Sequence, residues 1–201
     1  MDARPQNMKP GERLLQTATR LFCREGIRAT GIDKILAEAG VAKMTLYNQF
    51  GSKEGLVFAV LDREGALWRS WFADALQRHG GTAAERLIAI FAILEEWFGN
   101  DNFYGCALIN AVAEHHKDDL RIRDLALGHK MQVLAMIRAL VEAAGCADVE
   151  GVSHAIGLLV DGAIINAVVS GTTDAARSGA WATRLILQSA TPQPSTRANA
   201  A

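Results

Sequence analysis

The sequence predicts an all-α fold, with an N-terminal three-helix head joined by a rigid helix to a six-helix body. Three observations support this. Half of the 201 residues are hydrophobic, yet aromatics make up only 6% and there are 4 prolines. That Ala-rich composition suits helices around a sizeable core. No run of alternating β-branched residues reads as a strand, and the apolar residues instead recur at helical spacing.

The first helix is expected from Pro10 to Arg24, with Leu14, Leu15, Ala18, Leu21 and Phe22 on one stripe. Gly26 ends it. Thr30 or Gly31 precedes a second helix, whose buried face is Ile32, Ile35, Leu36 and Ala39. Gly40 supplies a tight turn. A third helix follows from Lys43 to Gln49, with Leu46 and Phe50 pointing inward. Gly51-Ser52 breaks the chain, and Ser52 caps a fourth helix from Lys53 to Arg78. Further helices are predicted over 83–98, 106–116, 118–144, 152–170 and 176–190, separated by loops such as HGGT and GNDNFYG. The segments 1–10 and 191–201 have no apolar pattern and are expected to be disordered tails. The head is then 11–55 and the body 56–190, with no flexible linker where the fourth helix passes from one to the other.

The net charge of −1 conceals an asymmetry. Residues 1–55 hold nine Lys/Arg against six Asp/Glu, and the rest hold 12 against 16. A basic head on an acidic body suggests that the head meets phosphate. Three widely spaced cysteines with no CxxC or Cys/His cluster argue against disulfides and structural zinc and fit a reducing cytoplasm. The N-terminus lacks the apolar core of a secretory signal. The stretch 152–171 is long and apolar enough to span a bilayer, but it contains His154, Asp161 and Asn166. An Asp near a membrane helix centre costs about 2.5–3.5 kcal/mol, so a buried core or interface helix is expected and no membrane partner. No cofactor or metal site is expected. Glu114, His115, His116 and Asp118 lie close in sequence, but adjacent histidines point to different sides of a helix.

Two helices joined by a short Gly-containing turn form a helix-turn-helix, whose second helix lies in the DNA major groove. Double-stranded DNA is therefore the expected partner. Lys43 and Asn48 are candidate base readers, since Asn pairs with adenine and Lys reaches guanine. Met44 or Thr45 offers a methyl contact to thymine, and Gln49 also faces out. Tyr47, Thr45 and Lys53 suit phosphates, as do the backbone N–H groups at Thr30 and Gly31.

The run ILAEAGVAKMTLYNQFGSKEGL, extended back through ATRLFCREGIRATGIDKI, resembles the recognition segment of tetracycline-repressor-type (TetR-family) transcriptional regulators. The resemblance covers about 45 residues and rests on spaced F-x-x-x-G-I, T-G-I, A-G-V, T-L-Y and S-K-E-x-L elements. In the body only the layout and the GCALIN segment match. Ala42 stands where such proteins often place a capping Ser, a loss of about 1 kcal/mol. Asn48-Gln49 replaces the more usual aromatic or His pair. The resemblance implies a homodimer through the last two helices, a ligand pocket in each body, and repression relieved by that ligand. The operator would be palindromic.

For the dimer face, Ile156, Leu159, Val160, Ala163, Ile164, Ala167 and Leu187 supply apolar or small positions. A small-molecule effector, mostly apolar, is expected among Trp68, Trp71, Phe72, Trp97 and Tyr104, oriented by Asn110, Asp161 or Asn166. Two alternatives remain at this point. One is a DNA-binding regulator controlled by a protein partner. The other is an enzyme acting in the body, although no nucleophile–base pair, phosphate loop or acid pair supports it.

Overall fold

A computed structural model describes residues 8–115 and 120–190. Among them the chain forms nine helices and no strands: α1 (Pro10–Glu25), α2 (Ile32–Ala39), α3 (Lys43–Phe50), α4 (Lys53–His79), α5 (Ala83–Phe98), α6 (Ala107–Glu114), α7 (Leu120–Ala143), α8 (Val149–Ser170) and α9 (Asp174–Ala190). The two tails expected to be disordered, apart from Met8, Lys9 and Pro10, lie outside the described residues. So do His116 and Asp118.

Capping chemistry sets several boundaries. Ser52 Oγ accepts from Gly55 N at 3.0 Å and starts α4. Gly55 is required there, because a Cβ would run into the Phe50 backbone carbonyl. Thr82 and Glu85 form a full capping box at α5. Its bonds hold the Glu85 carboxyl below the usual carboxylate range. Asp148 caps α8 by accepting from Gly151 N at 2.9 Å.

The helices fall into two compact units. The first contains the described residues up to Ser70 together with Tyr104–Lys130. Its core joins Leu14, Ala18, Leu21 and Phe22 of α1 to Ile35 and Leu36 of α2, Leu46 of α3, and Leu56, Val57, Val60 and Leu61 of α4. Ala111 of α6 and Ile122 of α7 complete it. The core of the head therefore extends past residue 55. Three helices of 16, 8 and 8 residues offer little apolar area of their own, and small cores are marginal.

The second unit contains Trp71–Phe103 and the described residues from Met131 on. Leu87, Ile90, Phe91 and Leu94 of α5 are buried there, as are Val152, Ile156, Val160, Ala163 and Ala167 of α8 and Ala176, Thr183 and Leu187 of α9. Among the described residues α8 is the one helix long and apolar enough to cross a membrane by length and composition. Its inner stripe packs on α9 and α5.

Candidate nucleic-acid interface

The site is built on a turn. Gly40 adopts φ 62°, ψ 44°, the left-handed conformation that closes α2. Its N–H and that of Val41 bond back to Ala37 O and Leu36 O. Arg13 of α1 reaches across and donates Nε to Ala39 O at 3.2 Å and an Nη to Gly40 O at 3.1 Å. A third donation, to Met8 O at 3.1 Å, ties down the chain just before α1. A cation thus satisfies carbonyls at the negative end of α2.

On α3, Leu46 is fully buried and anchors the helix. Lys43, Met44, Tyr47, Asn48 and Gln49 are exposed, and Thr45 is half-buried. The outward face thus gathers the candidate base readers on adjacent turns. Met44 is 63% exposed, so it belongs to this face and not to the core. Gln49 folds back against the backbone of Gly11, where a Cβ would collide with it.

Among the described residues neither α2 nor α3 has a side-chain cap hydrogen bond at its N-terminus, where Gly31 and Ala42 occupy the cap positions. α3 forms without its cap, helped by Thr45 N bonding Ala42 O at 2.9 Å. Thr30 is fully buried, and its hydroxyl donates to Gly26 O at 2.7 Å. Only its backbone is therefore available for the phosphate role. Lys53 is also partly committed, with its Nζ donating to Ile27 O at 2.8 Å.

Ion pairs use up some of the head's positive charge. Arg20–Glu38 and Lys34–Glu25, each at 2.5 Å, join α1 to α2, and Arg63–Glu12 at 2.7 Å joins α4 to α1. The Lys34 bond holds the Glu25 carboxyl below its ordinary range. Lys43 has no such pair among the described residues and remains the exposed cation of α3.

Two contacts that sequence reasoning missed grip the α1–α2 loop. Lys53, the first residue of α4, holds Ile27 O. Glu114, the last residue of α6, accepts from Arg28 N at 3.0 Å. The 26 and 86 residues separating these partners leave no local sequence signal.

The chain matches the family model for bacterial regulatory proteins of the tetR family over residues 14–60. It aligns with the E. coli transcriptional repressor NemR at 29% identity, covering 51% of this chain and 52% of NemR. With the Mycobacterium tuberculosis transcriptional repressor Rv3405c it shares 34% identity over 59% of this chain and 66% of that one. Its alignments span about half to two thirds of these curated relatives. The solved structure of SCO4454, a TetR-family transcriptional regulator from Streptomyces coelicolor, superposes with a TM-score of 0.83 at 28% identity, covering 91% of this chain and 96% of that one. The chain belongs to the TetR family. The α2–turn–α3 segment is its helix-turn-helix.

The candidate ligand residues of this TetR-family chain divide between the two units. In the first, Trp68 lies edge-on to His129, with ring centroids 5.7 Å apart. Asn110 Nδ2 there donates to Tyr104 O at 2.9 Å, so this pair shapes the α6 entry. In the second, Trp71 and Trp97 join Phe98 and Phe103 in one aromatic cluster with centroid spacings of 5.0–6.2 Å. Phe72 is fully buried and Asp161 is half-buried. Asn166 departs from its expected inward position. It is exposed, bonds Gly162 O of its own helix at 2.8 Å, and lines an outer groove of about 900 Å³ with Leu158 and Trp181.

The interface candidates also require correction. Ile156, Val160, Ala163, Ile164, Ala167 and Leu187 are all buried within the chain's own second unit, and Leu159 is half-buried. They have little area left for a partner. The open apolar side of α8 and α9 instead presents Leu158, Ile165, Val169, Trp181 and Leu185. α8 is apolar nearly all round, so its residue pattern gives no phase.

Cys23 is half-buried, and desolvation pushes its thiol up to about 11, with Glu64 and then Cys106 adding to the rise. Such a thiol stays protonated and is a poor nucleophile. Among the described residues no group of three or more His, Cys, Asp or Glu is placed to hold a metal.

Proposed function

We propose that this chain is a homodimeric, DNA-binding transcriptional repressor of the cytoplasm, released from its operator by a small, mostly apolar ligand, and that it is not an enzyme. The observation that carries the reading is the face of α3. Lys43, Met44, Tyr47, Asn48 and Gln49 stand exposed over a fully buried Leu46, on a turn held by Arg13. Lys43 and Asn48 read bases in the major groove, with Met44 or Thr45 against a thymine methyl. Tyr47, Lys53 and the open N-termini of α2 and α3 take phosphates. NemR and Rv3405c are repressors by name, which supports repression here.

The dimer rests on the exposed apolar side of α8 and α9. Leu158, Ile165 and Val169 recur at helical spacing, with Val169 82% and Leu158 72% exposed. Trp181 and Leu185 continue the surface on α9. A two-fold pair of heads can then meet half-sites one helical turn, about 34–36 Å, apart.

Release runs through the loop between α1 and α2. The first residue of α4 holds Ile27 O and the last residue of α6 holds Arg28 N. A ligand that shifts either helix moves the recognition helices without unfolding them. Such coupling is worth about 1–3 kcal/mol. The test titrates ligands found by thermal-shift screening into a preformed complex with a DNA duplex selected from a random pool. Release by a stabilising ligand is expected. If every stabilising ligand leaves DNA affinity unchanged, ligand control fails and control by a protein partner takes its place.

A further inference from the structure

Around the end of the first unit's share of α4, three side chains form a cluster that the DNA-binding face does not use. Arg69 Nη1 lies 2.9 Å from His129 Nδ1 of α7. His129 is only 6% exposed. Trp68 covers the imidazole edge-on. Gly65, one turn before Arg69, makes the closure possible. A Cβ there would lie 3.0 Å from Arg69 Nη1, 3.2 Å from His129 Nδ1 and 3.3 Å from Leu108 Cδ1.

The electrostatics of the cluster are unbalanced. Burial holds the His129 imidazole down to about 4, and the charges of Arg69 and Lys130 add to the effect. The ring is therefore neutral at ordinary pH and accepts from Arg69 without offsetting its charge. No Asp or Glu among the described residues forms an ion pair with Arg69. Glu64, nearby on the same helix, is raised by its own burial, and the charge of Arg63 offsets part of the rise. A partly buried guanidinium thus spends one of its five N–H donors on a neutral ring. The rest of its planar fork suits two carboxylate oxygens. A buried charge ordinarily has a partner, and Trp68 and Leu108 supply an apolar wall beside it.

We propose that Arg69, seated by His129 and flanked by Trp68, is an anion subsite that takes the carboxylate of an amphipathic organic acid. The inference deepens the ligand-release reading above and rests on it for its biological use. It specifies that the mostly apolar effector carries one acid group, and it places a binding group within the same unit as the helix-turn-helix.

The experiment measures binding by isothermal titration to the full chain, without DNA. The probes are benzoate, 1-naphthoate and decanoate, each paired with its neutral amide, and inorganic phosphate. At least one acid is expected to bind at least tenfold more tightly than its amide. Arg69→Gln should bring acid and amide to within twofold while leaving the far-UV spectrum and DNA binding intact. Arg69→Lys should retain part of the preference. If Arg69→Gln does not fold, His129→Gln, which unseats the guanidinium without removing its charge, should weaken the acid and spare the amide. Equal binding of acid and amide, an unchanged preference in Arg69→Gln, no binding by any acid, or displacement of the acid by an equal concentration of phosphate each overturns the subsite. Discriminating binding without release of DNA leaves the subsite standing and removes ligand control. Release by neutral amides alone does the reverse.

Discussion

Replacing Arg13 by Ala removes the side chain that ties α1 to the end of α2. Two carbonyls at the turn lose their cationic donor, Ala39 O at 3.2 Å and Gly40 O at 3.1 Å. A hydrogen bond contributes about 0.5–1.5 kcal/mol net, and one to a charged group about 1.5–3 kcal/mol. Gly40 is exposed and Arg13 half-buried, so water can replace part of the loss and the lower range applies. Two bonds at that range give about 1–3 kcal/mol. In a chain of this size each kcal/mol moves the melting temperature by about 2–4 °C, so the drop should be about 2–12 °C. Urea unfolding of the variant measures the energy, and a gel shift measures the consequence. DNA affinity should fall more than stability alone requires, because the turn fixes the angle between α2 and α3. Arg13→Lys keeps the charge but not the fork, and should fall between. If Arg13→Ala melts and binds DNA like the parent, the clamp has no role.

Val169→Glu should convert the protein to a monomer at micromolar concentration by light scattering, since it places a charge on each copy's share of the proposed α8–α9 face. A dimer that survives it puts the interface elsewhere. Thr183 is fully buried and its hydroxyl has no hydrogen-bond partner among the described residues, so Thr183→Val should raise stability by about 1 kcal/mol in urea unfolding. A loss of stability would mean that the hydroxyl is satisfied. His129 titrates near 4 in the folded chain and near 6.5 when unfolded. Between those values the unfolded chain binds a proton that the folded one refuses, so stability falls as pH drops through that window. His129→Gln should lessen the stability difference between pH 7 and pH 5.5, and an unchanged difference counts against a buried neutral imidazole.

Much of the fold was legible because helical periodicity and caps are local. Ser52 as the α4 cap, Gly40 at the turn and Leu46 as the inward anchor of α3 each follow from residues a few positions apart. The exposure of the outer side of α3 was legible for the same reason. The phase of α8 was not, since a helix apolar on every side leaves tertiary packing to choose its inner stripe. Nor was the commitment of Lys53 to Ile27 or of Glu114 to Arg28, because these partners meet only in the folded chain. His129 left a trace that periodicity could have caught. It falls on the buried stripe of Ile122, Ala126, Val133 and Ile137 along α7, where a polar residue requires an explanation.

The central claim is that α3 reads DNA through its exposed face. Selection of bound duplexes from a random pool, carried out in parallel with the parent and Asn48→Ala, tests it directly. The parent should enrich a two-fold symmetric site with half-sites about one helical turn apart. Asn48→Ala should enrich the same site with preference relaxed at one base pair per half-site, a loss of about 1–3 kcal/mol there. No enriched sequence for the parent, or an identical preference at every position for the variant, would contradict the account.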